Sequence, residues 1–132
     1  MPILDVEFVL GPGEKLPAGL AAAVAFEAGL VFGTPAGGTW VKLYELSAEH
    51  YAENDSQADS KPVFVRVMRA HLPMQLELEQ EAPKLAAAIA RACGRPVESV
   101  HIIYQPPIGG RIAFGGELFN PSPPLPPPRP KR

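Results

Sequence analysis

The chain has 132 residues, a formal net charge of −2 at pH 7 and a single cysteine, Cys93. This length favours one domain, the balanced charge argues against a broad nucleic-acid-binding surface, and one cysteine excludes a disulfide within the chain. No apolar run is long enough to span a membrane and no secretory signal is visible around Asp5, so we expect a cytoplasmic protein.

The N-terminal segment predicts a strand followed by a helix. Residues 2–10 alternate in polarity, with Asp5 and Glu7 on one face and apolar side chains on the other, as in a strand with one buried face. Residues 15–32 are rich in alanine and carry leucine and valine at helical spacing. We therefore expect a helix over 15–32 that ends near Gly33.

The same order of elements is predicted a second time further along the chain. A second strand is expected over 39–46, before a polar, turn-rich segment at 47–60 that has room for a short helix. The pattern then starts again. Residues 61–70 predict a strand, residues 74–93 a second alanine-rich helix, and residues 99–105 another strand.

The two halves also resemble each other in sequence. LAAAVA at 20–25 matches LAAAIA at 85–90, which indicates a duplicated β-α-β unit over about 2–46 and 61–105. The strands of each unit should pair in parallel. We expect an α+β fold in which a four-stranded mixed sheet carries both helices on one face, followed by a hairpin within 109–119.

The sheet face opposite the helices has a mixed composition. It is too polar for a dry core and too rich in aromatic side chains for a surface open to solvent. Its predicted members are Asp5, Glu7, Trp40, Lys42, Tyr44 and Arg66. An oligomer that encloses this face would explain the composition.

The last segment, NPSPPLPPPRPKR at 120–132, differs in composition from the rest of the chain. Such a proline-rich sequence favours the extended polyproline II conformation. Three roles fit it: a passive tail, a strap across a neighbouring subunit or, through PLPPPR, a ligand for an SH3-type domain. The tail is therefore set apart from a domain that spans residues 2–119.

Pro2 stands directly after Met1 and opens the first predicted strand. Two interpretations fit this position. A proline at the start of a strand loses no hydrogen bond of the sheet, so a purely structural role is one of them. In the other, an aminopeptidase removes Met1, and the freed secondary amine of Pro2 serves as a general base.

Three further segments accompany Pro2 and the duplicated unit: PVFVRV at 62–67, VHIIY at 100–104 and GRIAFGG at 110–116. With these features, residues 2–119 resemble the tautomerase superfamily, which includes 4-oxalocrotonate tautomerase, 5-carboxymethyl-2-hydroxymuconate isomerase and macrophage migration inhibitory factor. The resemblance implies a homotrimer with a site at each subunit interface, and such an assembly would enclose the mixed sheet face.

The resemblance also implies a chemistry, which is cofactor-independent keto–enol tautomerisation of a small 2-oxo or 2-hydroxy unsaturated carboxylate. Pro2 would be the base, because an apolar pocket and nearby cations disfavour its ammonium form. Cationic side chains would bind the substrate carboxylate and stabilise the enolate. The alternative within the superfamily is decarboxylation or hydration of a small acid. The alternative outside it is a non-catalytic trimeric binding protein.

Several residues of the strands and turns are candidates for the substrate site, and each has an ordinary surface or packing role as its alternative. Arg69 stands close to where relatives place carboxylate-binding arginines. Lys42 alternates with Trp40 on the second strand, so both are assigned to the substrate-binding wall. Arg111 lies in a glycine-flanked turn where backbone can approach a ligand. Arg66 is also assigned to the wall, although an ion pair with a carboxylate of the first strand explains it as well.

The second half of the chain supplies the remaining candidates. His101 stands where cytokine-like relatives have a pocket tyrosine, and Tyr104 is the other candidate for polarising the substrate carbonyl. Phe114 is assigned to the pocket wall, although core packing explains it equally. His50, His71 and His101 lack the spacing of a metal site and no nucleotide-binding glycine loop is recognised, so we expect neither a metal nor a cofactor.

Overall fold

The structure is a computed structural model that describes residues 1–54, 60–119, 128 and 130. Its elements are β1 (Ile3–Leu10), α1 (Leu20–Phe32), β2 (Trp40–Ser47), β3 (Val63–Met68), α2 (Gln75–Cys93), β4 (Val100–Tyr104), β5 (Ala113–Phe114) and β6 (Glu117–Leu118). Apart from residues 128 and 130, the proline-rich tail and its three alternative roles lie outside the described residues. Neither α1 nor α2, the long helices of the described part, has the combination of length and apolarity that crossing a membrane requires.

The first four strands form one mixed sheet in the order β2-β1-β3-β4. β1 pairs in parallel with β2, β3 pairs in parallel with β4, and the two central strands, β1 and β3, run antiparallel. Each β-α-β unit therefore contributes one central and one edge strand. The predicted α+β fold is confirmed, and β5 and β6 form the expected C-terminal hairpin.

Alternate residues of β1 separate a core face from an open face. Leu4 and Val6 are fully buried, and Phe8 is buried to 1% exposure. They pack in one cluster with Val24 of α1 and Ile89 of α2, so both helices cover the same sheet face. Burial of each such side chain contributes roughly 1.5–3 kcal/mol, which makes this layer the main source of stability.

The open sheet face has the mixed composition that the sequence predicted. Strand register places Asp5 between Lys42 of β2 and Arg66 of β3. Lys42 Nζ lies 3.1 Å from Asp5 Oδ1, so Lys42 rather than Arg66 is the ion-pair partner of Asp5 in this chain. The neighbouring Asp5 carboxylate raises the pKa of Lys42 and keeps it charged. Trp40 and Tyr44 on the same face are 44% and 41% exposed, which leaves apolar area for an assembly partner to cover.

α1 begins at Leu20, so the predicted helical span of 15–32 was wrong at its N-terminal end. Gly19 has a φ of 81°, a left-handed conformation that does not occur inside a right-handed helix. The Leu20 N–H donates to Pro17 O at 3.3 Å, and this closes a turn in front of the helix. Leu16, which the periodicity assigned to the helix, still packs against the core from this turn.

The loop between α1 and β2 is tightly packed around Gly38. A Cβ at Gly38 would lie 2.9 Å from Pro35 O and 2.9 Å from Thr34 Cβ, which is closer than such atoms approach. At Gly29, near the end of α1, a Cβ would meet nothing nearer than Thr34 Oγ1 at 3.5 Å, an ordinary contact. The two glycines therefore differ in the space around them.

We expect Gly38→Ala and Gly29→Ala to differ sharply in stability. Gly38→Ala should lower the free energy of unfolding by about 1–3 kcal/mol, because the loop must shift to relieve the overlap. Gly29→Ala should leave it unchanged or raise it by up to about 1 kcal/mol, since alanine is the better helix former. Urea denaturation measures both values, and equal effects of the two substitutions would contradict this account of the loop.

Candidate active site

A cleft of about 250 Å³ lies at the end of the sheet where β1 begins and β3 ends. Its lining residues are Met1, Pro2, Phe32, Thr34, Arg69, Ala70, His71 and Phe119. Pro2 is buried, and its carbonyl accepts a 3.0 Å hydrogen bond from the Trp40 N–H, which ties the start of the chain to β2. The sheet therefore holds Pro2 against a concave surface.

The antiparallel pairing of the two central strands brings the cleft residues together. Ile3 pairs with Met68, so Pro2, one residue before Ile3, lies beside Arg69, one residue after Met68. α1 ends at Phe32 over the same end of the sheet. The strand predicted over 61–70 ends before Arg69, because the Arg69 and Ala70 carbonyls accept hydrogen bonds of 2.9 and 3.2 Å from the loop after β4.

Two larger clefts lie away from Pro2. One, of about 530 Å³, is at the opposite end of β1 and is lined by three glutamates, Glu14, Glu45 and Glu49, with no cation among its lining residues. The other, of about 370 Å³, runs along the outer face of α1 past Phe26 and Leu30. The Pro2 cleft is smaller, but among these three clefts it is the one that places a candidate base beside a cation. The Pro2 cleft is therefore chosen as the candidate site because of its residues and not because of its size.

Arg69 is held in the cleft wall by an ion pair with Glu81 of α2. Its Nη1 and Nη2 donate to Glu81 Oε1 and Oε2 at 2.9 and 2.7 Å, and the two side chains are only 14% and 15% exposed. The guanidinium carbon lies 4.5 Å from the centre of the Phe32 ring, within range of a cation–π contact. Two hydrogen bonds and one ring contact therefore hold the guanidinium group in one orientation in the cleft wall.

Tyr104 completes this arrangement, which we call the Arg69–Glu81–Tyr104 network. Its hydroxyl donates to Glu81 Oε1 at 3.0 Å. Burial and the neighbouring Glu81 carboxylate raise the pKa of Tyr104 far above its usual value, so the phenol stays protonated. The network therefore contains one cation, one anion and one neutral donor.

Solved structures share this architecture along nearly the whole described chain. Macrophage migration inhibitory factor from Trichinella spiralis has a TM-score of 0.68 at 14% identity, covering 89% of this chain and 99% of that chain. A fused 4-oxalocrotonate tautomerase, described as an asymmetric trimer, has a TM-score of 0.69 at 18% identity, covering 88% and 94%. Malonate semialdehyde decarboxylase has a TM-score of 0.64 at 16% identity, covering 86% and 90%.

The chain has the fold of the tautomerase superfamily. The resemblance that Pro2 and the duplicated unit indicated is thereby confirmed at the level of architecture. Sequence identities this low establish the fold, while the activity has to be argued from the site. A scan against protein-family models and a search of curated proteins gave no match.

Within this tautomerase fold, the predicted aromatic wall lies next to the cleft rather than inside it. The Trp40 ring meets the Phe114 ring edge-on, with 5.5 Å between centroids, and Phe114 meets the cleft residue Phe119 at 6.1 Å. The Trp40 indole N–H donates to Gly37 O at 3.0 Å. These contacts hold the hairpin of β5 and β6 against β2 and position Phe119.

Besides Trp40 and Phe114, five predicted site residues do not line the cleft of a single chain, and one of them is Tyr104, whose hydroxyl is hydrogen-bonded to Glu81 instead. Lys42, Arg66 and His101 lie on the open sheet face, where His101 packs against Phe64 with 5.6 Å between ring centroids. Arg111 is exposed in the loop after β4, and its guanidinium donates to a carbonyl of the same loop. The roles assigned to these other four require a neighbouring subunit, and they stay predictions.

Two residues in or beside the cleft, His71 and Glu81, were not predicted from the sequence. His71 lines the cleft two residues after Arg69. In the sequence, it was considered only as a possible metal ligand. Glu81 is one of three glutamates at alternate positions near the start of α2, with Glu77 and Glu79. Only the rotation of the helix against the sheet selects Glu81 as the partner of Arg69, and a single sequence does not contain that information.

The acidic, histidine and cysteine side chains do not gather into a metal-binding set of three anywhere in residues 1–54 and 60–119. The groups that the cleft does offer are a proline near the chain end, a fixed guanidinium, an imidazole and an apolar wall that includes Phe32 and Phe119. Such a set can bind a small carboxylate and move a proton once the proline nitrogen becomes basic.

Proposed function

We propose that this chain is a cofactor-independent keto–enol tautomerase of small 2-oxo or 2-hydroxy unsaturated carboxylates, with Pro2 as the general base after removal of Met1. The observation that carries the proposal is the position of Pro2, buried in a cleft beside the fixed guanidinium of Arg69. Supporting it, the solved neighbours include a tautomerase, and the decarboxylase was also determined with its first proline replaced by alanine.

Removal of Met1 is the step that would create the base. While Met1 is present, the Pro2 nitrogen is an amide and has no basic lone pair. Met1 also lines the cleft and is 51% exposed, so its loss would both free the amine and enlarge the space beside it. Desolvation by the apolar wall then disfavours the ammonium form, which suits a base that acts near neutral pH.

The proposed reaction moves one proton between oxygen and carbon of the substrate. In the ketonisation direction, the Pro2 amine takes the enol O–H proton, the double bond shifts toward oxygen, and the resulting ammonium returns the proton to carbon. The N–H donors of Arg69 that Glu81 leaves free would hold the substrate carboxylate. His71 in the same wall would donate to the oxygen that carries the developing charge.

The test of this function is turnover of a small enol by protein whose loss of Met1 has been established by intact mass. Phenylenolpyruvate and a 2-hydroxymuconate-type enol are the two substrates to use. The same protein assayed with malonate semialdehyde tests the alternative reaction within the superfamily. Absence of enol turnover at any enzyme concentration would refute the proposed function.

We also propose a homotrimer in which the open sheet face is enclosed. The support comes from the exposed Trp40 and Tyr44 on that face and from neighbours of the same fold that are described as trimers. Trimer formation would bury apolar area and bring Lys42 and His101 of one chain toward the next.

Sedimentation equilibrium at micromolar concentration should give three times the chain mass of 14.1 kDa. Tyr44→Glu should weaken the trimer by at least about tenfold, because it places a carboxylate in the enclosed face. Leu76→Glu is the matched control, since Leu76 is an exposed apolar residue on α2 at 67%, away from that face, and should not affect assembly. A stable monomer of the native chain would contradict the proposal.

A further inference from the structure

We infer that Glu81 is a specificity-determining residue, which neutralises Arg69 and restricts the Pro2 cleft to substrates that carry one negative charge. This inference rests on the proposed function, because it concerns the substrate of the same cleft. It goes further in assigning a role to a residue of α2 that does not itself line the cleft.

The hydrogen bonds of Arg69 show how Glu81 can act without blocking the site. Glu81 takes one N–H from each terminal nitrogen of the guanidinium, at 2.9 and 2.7 Å, and Phe32 covers one face of the group at 4.5 Å. An arginine has further N–H donors on Nε and on the same two nitrogens. Arg69 therefore keeps donors for one carboxylate while its orientation is set in advance.

The charge of the cleft follows from the same contacts. Arg69 and Glu81 are only 14% and 15% exposed, and their bidentate geometry is of the strong, charge-assisted kind, so the pair stays closed and its net charge is zero. The protonated Tyr104 adds no charge to it. Among the described lining residues, Arg69 is the one permanently charged side chain, while His71 and the freed Pro2 amine can each take up a proton.

A substrate with one carboxylate gains hydrogen bonds from a guanidinium that is already in place. A second carboxylate would lose its water against the apolar wall of Phe32 and Phe119 and would meet no unpaired permanent cation among the described lining residues. Burying a charge without a counter-charge is unfavourable. The neutral Arg69–Glu81 pair thus separates monoanionic from dianionic substrates.

Glu81→Gln tests this inference, because it removes the negative charge with little change in size and leaves Arg69 as a free cation. The readout is the ratio of kcat/KM for phenylenolpyruvate, a monoanion, to that for 2-hydroxymuconate, a dianion, with Met1-free protein. The native ratio should be at least about tenfold in favour of the monoanion. In Glu81→Gln the ratio should move toward the dianion by about tenfold or more, mainly through KM.

Two further variants separate charge from structure. Glu79→Gln makes the same charge change at an exposed position of the same helix, and the ratio should stay within about twofold of the native value. Glu81→Asp keeps the charge but shortens the side chain, so it should slow both substrates and preserve the ratio. If Glu81→Gln does not fold, a ratio that changes in Glu81→Asp would overturn the inference, because the charge is the same.

Binding of carboxylate probes provides a readout that does not depend on turnover. The ratio of dissociation constants for benzoate and isophthalate, measured by titration calorimetry, should shift in Glu81→Gln in the same direction as the kinetic ratio. Unchanged ratios in folded Glu81→Gln would overturn the inference and leave the proposed function standing. Shifted binding ratios in a protein that turns over neither enol would support the inference and refute the function.

Discussion

Met1-free Pro2→Ala protein should turn over phenylenolpyruvate or a 2-hydroxymuconate-type enol about 10²–10⁴-fold more slowly than Met1-free native protein. Loss of a general base typically costs this much, which corresponds to about 3–5 kcal/mol of transition-state stabilisation. Alanine still presents an amine, but a primary one in altered geometry, so activity should fall steeply without vanishing. The measurement is kcat/KM for both proteins under identical conditions.

Protein that retains Met1 is the control for this result, and it should be at least as inactive as Pro2→Ala because an amide nitrogen is not basic. In the Met1-free native protein, kcat/KM should rise with pH through neutrality, since only the free amine accepts a proton. Equal rates with and without Met1 would show that Pro2 is not the base. Pro2 would then be a residue that starts β1, and the site would have to be sought elsewhere.

Arg69→Met should lower the free energy of unfolding by about 1–3 kcal/mol, because it breaks a partly buried, bidentate ion pair by removing one partner. The substitution leaves the Glu81 carboxylate, 15% exposed, without its guanidinium partner, and it removes the cation–π contact with Phe32. Urea denaturation gives the value. The control is Arg91→Met, whose pair with Glu27 at 3.3 Å is formed by a side chain that is 63% exposed, and it should cost less than about 1 kcal/mol.

The double substitution Arg69→Met with Glu81→Met distinguishes the ion pair from the packing around it. Because no unpaired charge remains in the double variant, it should recover a large part of the stability that Arg69→Met loses. The carboxylate-binding donors would still be missing, so enol turnover should remain impaired. A double variant as unstable as the single one would mean that packing of the arginine stem, and not charge, accounts for the loss.

The layout of the sheet could be predicted because the sequence of each strand shows its own pattern of apolar residues. Burial of Leu4, Val6 and Phe8 on one side requires a period of two, and the repeated alanine-rich run revealed the second unit. The start of α1 could not be predicted from periodicity, since Leu16 is apolar and in phase with the helix. The left-handed backbone of Gly19 lies outside the helix, which begins at the next residue, Leu20.

The candidate site was predictable only in part. Pro2 was identified by its place directly after Met1 at the start of the first predicted strand, and Arg69 by the resemblance to relatives with carboxylate-binding arginines. Glu81 was not, because its contact spans 12 residues of sequence and depends on how α2 is rotated. Lys42 and His101 lie on the open sheet face, and in the proposed trimer their neighbours would come from another chain, which the sequence of one chain does not describe.

Trp40 can serve as an intrinsic fluorescent probe of the cleft. It is the single tryptophan of the chain, its backbone N–H bonds to the Pro2 carbonyl, and its ring contacts Phe114, which in turn contacts Phe119 in the cleft wall. Indole emission depends on the polarity and rigidity of the surroundings, and this indole is 44% exposed. Removal of Met1, or binding of a small carboxylate beside Pro2, would therefore change the intrinsic fluorescence without any attached dye.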